Sequence, residues 1–141
     1  MFFKSSLIAF AFASFAFAFE PGYETGVKLK VLLQSDTTTL GQAIRYPQTG
    51  KPQLTVVQVE IPPGGETGWH IHPFPAYGYI LSGRLTLEEE GGRTLQLDSG
   101  QVIVESVNKR HNRRNLGHTP VKIVAFYTGE AGIPIAQKAP K

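Results

Sequence analysis

Residues 68–83 read GWHIHPFPAYGYILSG, and this stretch guides the interpretation of the whole sequence. His70 and His72 stand one residue apart, and two prolines, Pro73 and Pro75, follow them before an apolar run. Side chains at positions i and i+2 of an extended segment point to the same face. The pair therefore predicts two ligands of a metal site, provided that a third ligand comes from elsewhere in the chain.

Around this stretch, short segments rich in Val, Ile, Leu and Thr are separated by prolines and glycine-containing turns. We expect six strands and, at residues 90–92, a hairpin turn. The strands are predicted at residues 28–34, 53–61, 77–90, 93–100, 101–106 and 121–129. Because no helical periodicity accompanies them, the pattern indicates a single all-β domain, a sandwich or a small barrel.

The N-terminal residues differ from the rest of the sequence. After Lys4, residues 7–19 are apolar or small, and AFA at residues 16–18 has the small-x-small pattern of a signal peptidase site. This run is short for a membrane span. We therefore expect residues 1–18 to be a cleavable signal peptide, and the protein to be periplasmic or secreted without stable membrane insertion. An uncleaved membrane anchor is the alternative.

The charge balance and the lack of cysteine exclude some classes of protein. The chain has 14 Lys and Arg against 11 Asp and Glu, and loss of Lys4 with the signal peptide leaves 14 − 1 = 13 basic side chains. This excess is too small to indicate a nucleic-acid-binding surface. Without cysteine there is no disulfide, so the fold must be stabilised by packing, or by packing together with a metal.

The spacing around the histidine pair resembles the first motif of the cupin family. Gly64, His70, His72 and Gly83 stand at the family's intervals. Ala76 occupies the position at which the family has a glutamate, so the sequence lacks one metal ligand of the family pattern.

A second group of residues resembles the family's second motif. Gly100, His111 and Asn115 stand at the expected intervals, whereas Ser106 replaces a proline and Asn108 replaces a glycine. Asn108 is a suitable substitute, because asparagine adopts the left-handed turn conformation more readily than most residues. Several fixed intervals agree across both motifs, which makes the resemblance specific.

The resemblance implies a single-domain cupin, which is a double-stranded β-helix or jelly-roll barrel, over residues 19–130. Its two motifs would lie at residues 64–83 and 100–115, and residues 131–141 would form a loosely held C-terminal tail. Single-domain cupins are commonly dimers, and exposed edge strands favour such pairing. We therefore expect a homodimer.

The resemblance also implies that His70, His72 and His111 converge inside the barrel on a divalent transition metal. Imidazole ligands do not by themselves select among Fe, Mn, Cu, Ni and Zn. Three neutral imidazoles leave the charge of the ion uncancelled, which favours an anionic small-molecule ligand. Alternatively, the three histidines are hydrogen-bonded core residues of a barrel that holds no metal.

The missing glutamate also predicts space for a substrate. If Ala76 faces inward, Gly78 shares its face, and the two small residues would leave room beside the metal. Trp69 and Phe74 flank the histidine pair and are candidates for an apolar wall of the substrate site. Alternatively, these aromatic side chains belong to the core or to a subunit contact.

Two charged residues of the second motif are further candidates for the site. Arg113 follows His111 by two residues, shares its face on a strand, and is a candidate to bind a carboxylate or phosphate group. A surface salt bridge to Glu88, Glu89 or Glu105 explains Arg113 equally well. Glu105 is a candidate extra metal ligand, although a structural role beside the arginines is the interpretation that the sequence favours.

Three functions remain open at this point. Some cupins with three histidines and no carboxylate are iron-dependent dioxygenases, so the resemblance implies a small-substrate metalloenzyme of the dioxygenase type. No other catalytic motif competes, and acid–base candidates are few, which favours redox chemistry. The alternative is a non-catalytic periplasmic module that binds a small ligand or a metal. A structural domain with a vestigial site is the third, and Ala76 favours it.

Overall fold

The computed structural model describes residues 26–139, which form two antiparallel β-sheets. The strands of the described residues are β1 (Pro52–Ile61), β2 (His70–Ile71), β3 (Ala76–Ser82), β4 (Arg84–Glu89), β5 (Arg93–Asp98), β6 (Val102–Val104), β7 (His111–Arg114), β8 (Val121–Glu130) and β9 (Gln137–Lys138). One sheet has the order β1-β8-β3-β6, and the other has the order β5-β4-β7-β2-β9. The predicted all-β fold is confirmed.

The chain divides into two compact units, Met1–Lys30 and Val31–Lys141, and every strand named above belongs to the second. In the first unit only residues 26–30 are described, and they are exposed. The predicted signal peptide and the predicted start of the barrel at Phe19 lie outside the described residues. Within residues 26–139, no helix is both long enough and apolar enough to cross a bilayer.

Five of the six predicted strands are present, and the turn at residues 90–92 connects β4 to β5 as predicted. The segment predicted as one strand at residues 77–90 is divided into β3 and β4, which belong to different sheets. Gly83 makes this division possible. Its φ is 81°, and a Cβ at this residue would lie 2.7 Å from the carbonyl oxygen of Pro120. The chain therefore changes sheets at a residue that only glycine fits.

The prediction of a strand at residues 28–34 is wrong, because the structure has no strand there. Its apolar side chains are about half exposed, as Val31 at 59% and Leu33 at 47% illustrate. No backbone hydrogen bond to this segment is present among the described residues. Strand propensity is insufficient here, because an extended segment becomes a strand only when a neighbour satisfies its main-chain groups.

The two sheets enclose an apolar core to which both contribute. Its buried side chains are Leu40, Ile61, Ile80, Leu85, Leu87, Leu97, Ile103, Val121 and Ile123. Burial of each such side chain contributes about 1.5–3 kcal/mol. A smaller cluster of Ala76, Ala125 and Tyr127 lies toward the histidines, with the Tyr127 ring 5.2 Å from that of His72. The core thus holds β3 and β8 in position beside the site.

The C-terminal residues differ from the prediction of a loosely held tail at residues 131–141, because part of the described segment, up to Ala139, pairs with the rest of the domain. Gln137 and Lys138 form β9, which pairs with β2 at Ile71 and His70. The N–H of Ala139 donates to the carbonyl oxygen of Trp69 at 3.2 Å. Gln137 and Lys138 therefore belong to the sheet that contains His70.

Candidate metal centre

The pairing of β2 with β7 brings together the histidines of the two motifs. His70 lies directly opposite His111 in this pairing. His72 forms an isolated parallel bridge with Val107, and its carbonyl oxygen accepts a hydrogen bond of 2.9 Å from the N–H of Asn108. Asn108 has a φ of 54°, which confirms its prediction as a substitute for glycine in the left-handed conformation.

The three imidazole rings form a compact group. The ring centroids of His70, His72 and His111 lie 4.4 to 4.9 Å apart. One ring nitrogen from each can be chosen so that all three lie within 4.8 Å of one another. His72 and His111 are buried, and His70 is partly exposed. The predicted convergence of the three histidines is therefore seen in the structure.

Each imidazole is oriented by a hydrogen bond to a main-chain carbonyl oxygen. The Nδ1 atoms of His70, His72 and His111 lie 2.7 to 2.8 Å from the carbonyl oxygens of, in turn, Gly68, Ile135 and Lys109. Because a carbonyl oxygen only accepts, Nδ1 must carry the hydrogen in each ring. Nε2 is then left with a lone pair, which is the arrangement typical of metal-ligating histidines.

Two of these lone pairs are buried without a protein partner. Nε2 of His72 and Nε2 of His111 are shielded from solvent and have no hydrogen-bond partner among the described residues. Buried polar atoms normally have a partner, because desolvation of an unpaired one costs about 1–3 kcal/mol. A transition metal would satisfy these atoms, so the donor set fits such an ion.

Burial keeps the three imidazoles neutral. It lowers the pKa of His70 from 6.5 to about 4 and that of His72 to about 3, and the charge of Arg113 adds to both shifts. The hydrogen bonds to the carbonyl oxygens oppose these shifts only in part. Burial also lowers the pKa of His111. Near pH 7 all three are therefore in the neutral form that binds metals.

A buried ion pair lies beside His111. Glu105 and Arg113 are 3% and 2% exposed, and Arg113 donates to Oε1 of Glu105. The other carboxylate oxygen, Oε2, lies 3.3 Å from Nε2 of His111. The alternative prediction for Arg113 was a surface salt bridge to Glu88, Glu89 or Glu105. Glu105 is indeed the partner, but the ion pair lies in the interior and not at the surface.

A cavity of about 430 Å³ opens beside the histidines. His70, His72 and Arg113 line it, together with Trp69, which is one of the two predicted wall residues. The neighbouring wall comes from the C-terminal residues 136–138. The cavity therefore combines apolar, histidine and cationic side chains.

The other predicted substrate-contacting residues do not line this cavity. Phe74 packs against Gly129 and borders a separate surface groove. Ala76 is 1% exposed and packs in the cluster that contains Tyr127. A Cβ added to Gly78 would lie 3.1 Å from Cγ2 of Ile123. Core side chains thus fill the space that the two small residues were expected to leave, and this part of the prediction is wrong.

Sequence reasoning missed several residues of the site. Tyr127 was detectable, because strict alternation along β8 places it on the same face as the buried Val121, Ile123 and Ala125. Ile135, which accepts the hydrogen bond from His72, gave no comparable signal. Lys138 gave no such signal either. Its position in the cavity depends on the pairing of β9 with β2, which are separated by almost half of the chain.

Comparison with known proteins shows what the chain is similar to. Residues 57–127 match the family model described as the cupin domain, and this stretch includes all three histidines. No curated protein sequence matches the chain.

Solved structures share the fold at low sequence identity. DMSP lyase DddQ from Ruegeria pomeroyi DSS-3 has a TM-score of 0.54 and 21% identity, over 61% of this chain and 43% of the lyase. The oxalate decarboxylase–formate complex of Lactobacillus farciminis has a TM-score of 0.54 and 23% identity, over 60% of this chain and 26% of the decarboxylase. An uncharacterized conserved protein with a double-stranded β-helix domain from Klebsiella pneumoniae subsp. pneumoniae MGH 78578 has a TM-score of 0.51 and 24% identity, over 65% of this chain and 90% of that protein.

The chain spans less than half of the lyase and about a quarter of the decarboxylase. At these identities the likeness is one of fold. It confirms the predicted double-stranded β-helix.

Proposed function

Because the chain belongs to the cupin family, we propose that its three histidines hold a divalent transition metal and that the site acts on a small anionic molecule. The observation that carries this proposal is the orientation of the rings. All three Nδ1 atoms are hydrogen-bonded to carbonyl oxygens, and two of the Nε2 atoms are buried without a partner among the described residues. The identity of the metal is left open among Fe, Mn, Cu, Ni and Zn.

The lining of the cavity supports an anion as the small molecule. Lys138 brings a positive charge to it, Arg113 lines it as the ion-pair partner of Glu105, and Trp69 and Val59 supply apolar surface. Nε of Arg113 is buried and has no hydrogen-bond partner within residues 26–139. Charged donors against an apolar wall bind and orient a small carboxylate.

We propose oxidative chemistry of the dioxygenase type as the reaction. A bound transition metal supplies Lewis-acid or redox chemistry at this position. Besides the histidines, the titratable side chains that line the cavity are Arg113, Tyr127 and Lys138, and no carboxylate of the described residues does so. Acid–base catalysis therefore has few groups to use, which favours chemistry performed by the metal itself over hydrolysis.

A non-catalytic module that retains a ligand or a metal is the second candidate. It is favoured by the close packing around Ala76 and Gly78, which leaves less room beside the histidines than the sequence suggested. Turnover distinguishes the two candidates, because a module binds the anion without consuming oxygen.

We also propose that the protein works in the periplasm or outside the cell. The apolar N-terminal run and the AFA sequence at residues 16–18 support export. Mass spectrometry of the protein recovered from the periplasm tests this. A mature N-terminus near Phe19 is expected, and recovery of the full-length chain from the cytoplasm would contradict it.

Metal content is the first test of the proposed site. Protein purified without chelators is expected to contain about one equivalent of a transition metal, measured by plasma mass spectrometry. His70→Ala removes one of three ligands and should lower the metal affinity at least about tenfold. His118→Ala is the matched control, because His118 is exposed. Failure of the wild-type protein to bind any of the five metals after reconstitution would overturn the proposal.

Binding of small carboxylates to the metal-loaded protein tests the anion site. Lys138→Ala is expected to weaken binding at least about fivefold, because it removes a charged donor from the cavity lining. Trp69 is the only tryptophan and lines the cavity, so its fluorescence can report binding. Lys51→Ala, at an exposed residue outside the cavity, is the control. Equal affinity of both variants and the wild type would count against the anion site.

A further inference from the structure

We propose that Glu105 is a fourth protein ligand of the metal site, supplied by the strand next to Ala76. The inference rests on the proposed function, since it requires that the three histidines hold a metal. It changes the predicted donor set from three imidazoles to three imidazoles and a carboxylate. The carboxylate that the family has at position 76 would then be provided from a different strand.

The register of β3 and β6 places Glu105 across from Ala76. Tyr77 is paired with Val104, and the N–H of Glu105 donates to the carbonyl oxygen of Ala76 at 2.8 Å. Residues opposite each other in antiparallel strands point to the same face of the sheet. Ala76 and Glu105 are both buried, at 1% and 3% exposure. A side chain at position 105 therefore enters the interior beside the place that the family's glutamate would take.

The contact between Glu105 and His111 requires a positive charge. Nδ1 of His111 donates to the carbonyl oxygen of Lys109, so Nε2 is an acceptor. Oε2 of Glu105, also an acceptor, lies 3.3 Å from it in a region closed to solvent. Two acceptors at this distance repel each other unless a proton or a metal cation lies between them. Ligand atoms at about 2.0–2.2 Å from one ion are themselves about 3–3.5 Å apart, which agrees with the separation of Glu105 from His111. The carboxylate lies outside the group of ring nitrogens that are within 4.8 Å of one another, so metal binding would draw it toward His70 and His72.

Arg113 positions the carboxylate for this role. It donates to Oε1 of Glu105, which leaves Oε2 toward His111. Its positive charge also offsets the negative charge of Glu105 in the interior, where an unpaired carboxylate would be costly. Arg113 is therefore a positioning residue for the fourth ligand.

The direct test is a crystal structure of the metal-loaded wild-type protein, with the ion located by anomalous scattering. We expect a carboxylate oxygen of Glu105 at about 2.0–2.2 Å from the metal. A distance above about 3 Å, with Glu105 hydrogen-bonded to a doubly protonated His111, would overturn the inference. This measurement needs no variant, so it does not depend on whether a variant folds.

A pair of double variants tests the same inference in solution. Glu105→Gln alone would leave Arg113 buried without its partner, so Glu105→Gln with Arg113→Gln is used. We expect a metal affinity at least about tenfold lower than that of the wild type, and one oxygen donor fewer by X-ray absorption. The control is Arg84→Gln with Asp98→Asn, which removes an exposed ion pair.

The outcomes separate this inference from the proposed function. Unchanged affinity and oxygen count in the Glu105/Arg113 variant, with metal loss in His70→Ala, would overturn the role of Glu105 and leave the three-histidine site standing. A wild-type protein that binds no metal would overturn both.

Discussion

The hydrogen bonds of the three histidines determine what the site can bind. Each ring is held by a main-chain carbonyl oxygen, at Gly68, Ile135 and Lys109, and none depends on another side chain for its tautomer. A substitution elsewhere in the site therefore does not change which ring nitrogen carries the hydrogen. Burial then makes the neutral form the stable one, so the metal-free protein is already prepared for an ion.

The stability of the metal-free protein is expected to fall as the pH is lowered. The pKa values of His70 and His72 in the folded protein are about 4 and about 3, whereas the ordinary value is 6.5. Between pH 6.5 and 4 the unfolded chain binds protons that the folded protein does not, so acid favours unfolding. Stability is fully present above pH 6.5 and should decrease by about 2 kcal/mol or more toward pH 4.

Urea denaturation of the metal-free protein at pH 7, 5.5 and 4.5 measures this decrease. His72→Gln should make the free energy of unfolding less dependent on pH. His118→Ala should leave the dependence unchanged, because His118 is exposed. An equal stability of the wild type at all three pH values would contradict the prediction.

The C-terminal strand β9 has a larger part in the site than its two residues suggest. β9 pairs with β2, which contains His70. Ala136, the residue before β9, contributes to the cavity wall. Ile135 provides the only acceptor for Nδ1 of His72 among the described residues. A strand as short as β2 has few hydrogen bonds of its own, so β7 on one side and β9 on the other hold it in place.

Deletion of residues 135–141 should lower the metal affinity at least about tenfold, because His72 loses the carbonyl oxygen that orients it. Competition with a metal chelator measures the affinity. Amide exchange in β2 is expected to be faster in the same variant, since its hydrogen bonds to β9 are lost. Deletion of residues 140–141 alone serves as the control. A full deletion that retains wild-type affinity would show that β9 is dispensable.

For the whole molecule, the two faces of the β1-β8-β3-β6 sheet have different surroundings. The inner face packs on the core, and the outer face exposes Leu54 and Val56 of β1 and Phe126 of β8. Val56 and Phe126 are directly paired, so they form one continuous apolar area. β1 is also the last strand of its sheet in the described part of the chain, and an open edge beside an apolar surface favours self-association.

The expected homodimer is therefore predicted to form through this outer face. Phe126→Glu should convert the dimer to a monomer, because a two-fold interface buries the introduced charge twice. Sedimentation velocity of the exported protein measures the change. Leu116→Glu, at an exposed loop residue, should leave the dimer intact. A wild-type monomer, or a dimer that persists in Phe126→Glu, would contradict the prediction.

Much of the fold and part of the site could be predicted because their signals are local. Alternating and β-branched segments indicated β1, β5, β6 and β8, and the hairpin between β4 and β5 follows from its glycines. The left-handed conformation of Asn108 follows from the intrinsic preference of asparagine. The segment at residues 28–34 shows the limit of such signals, since the same type of pattern did not become a strand without a neighbour.

The sequence by itself determined the all-β class and, through two spaced motifs, the three histidines of the site. The tertiary structure alone decided the burial of Glu105 with Arg113, the filled space beside Gly78 and the role of the C-terminal strand. The bond from His72 to Ile135, for example, joins residues 63 positions apart. Such contacts depend on which strands pair and in which register. Local patterns of polarity do not encode that choice, because many pairings would bury the same faces.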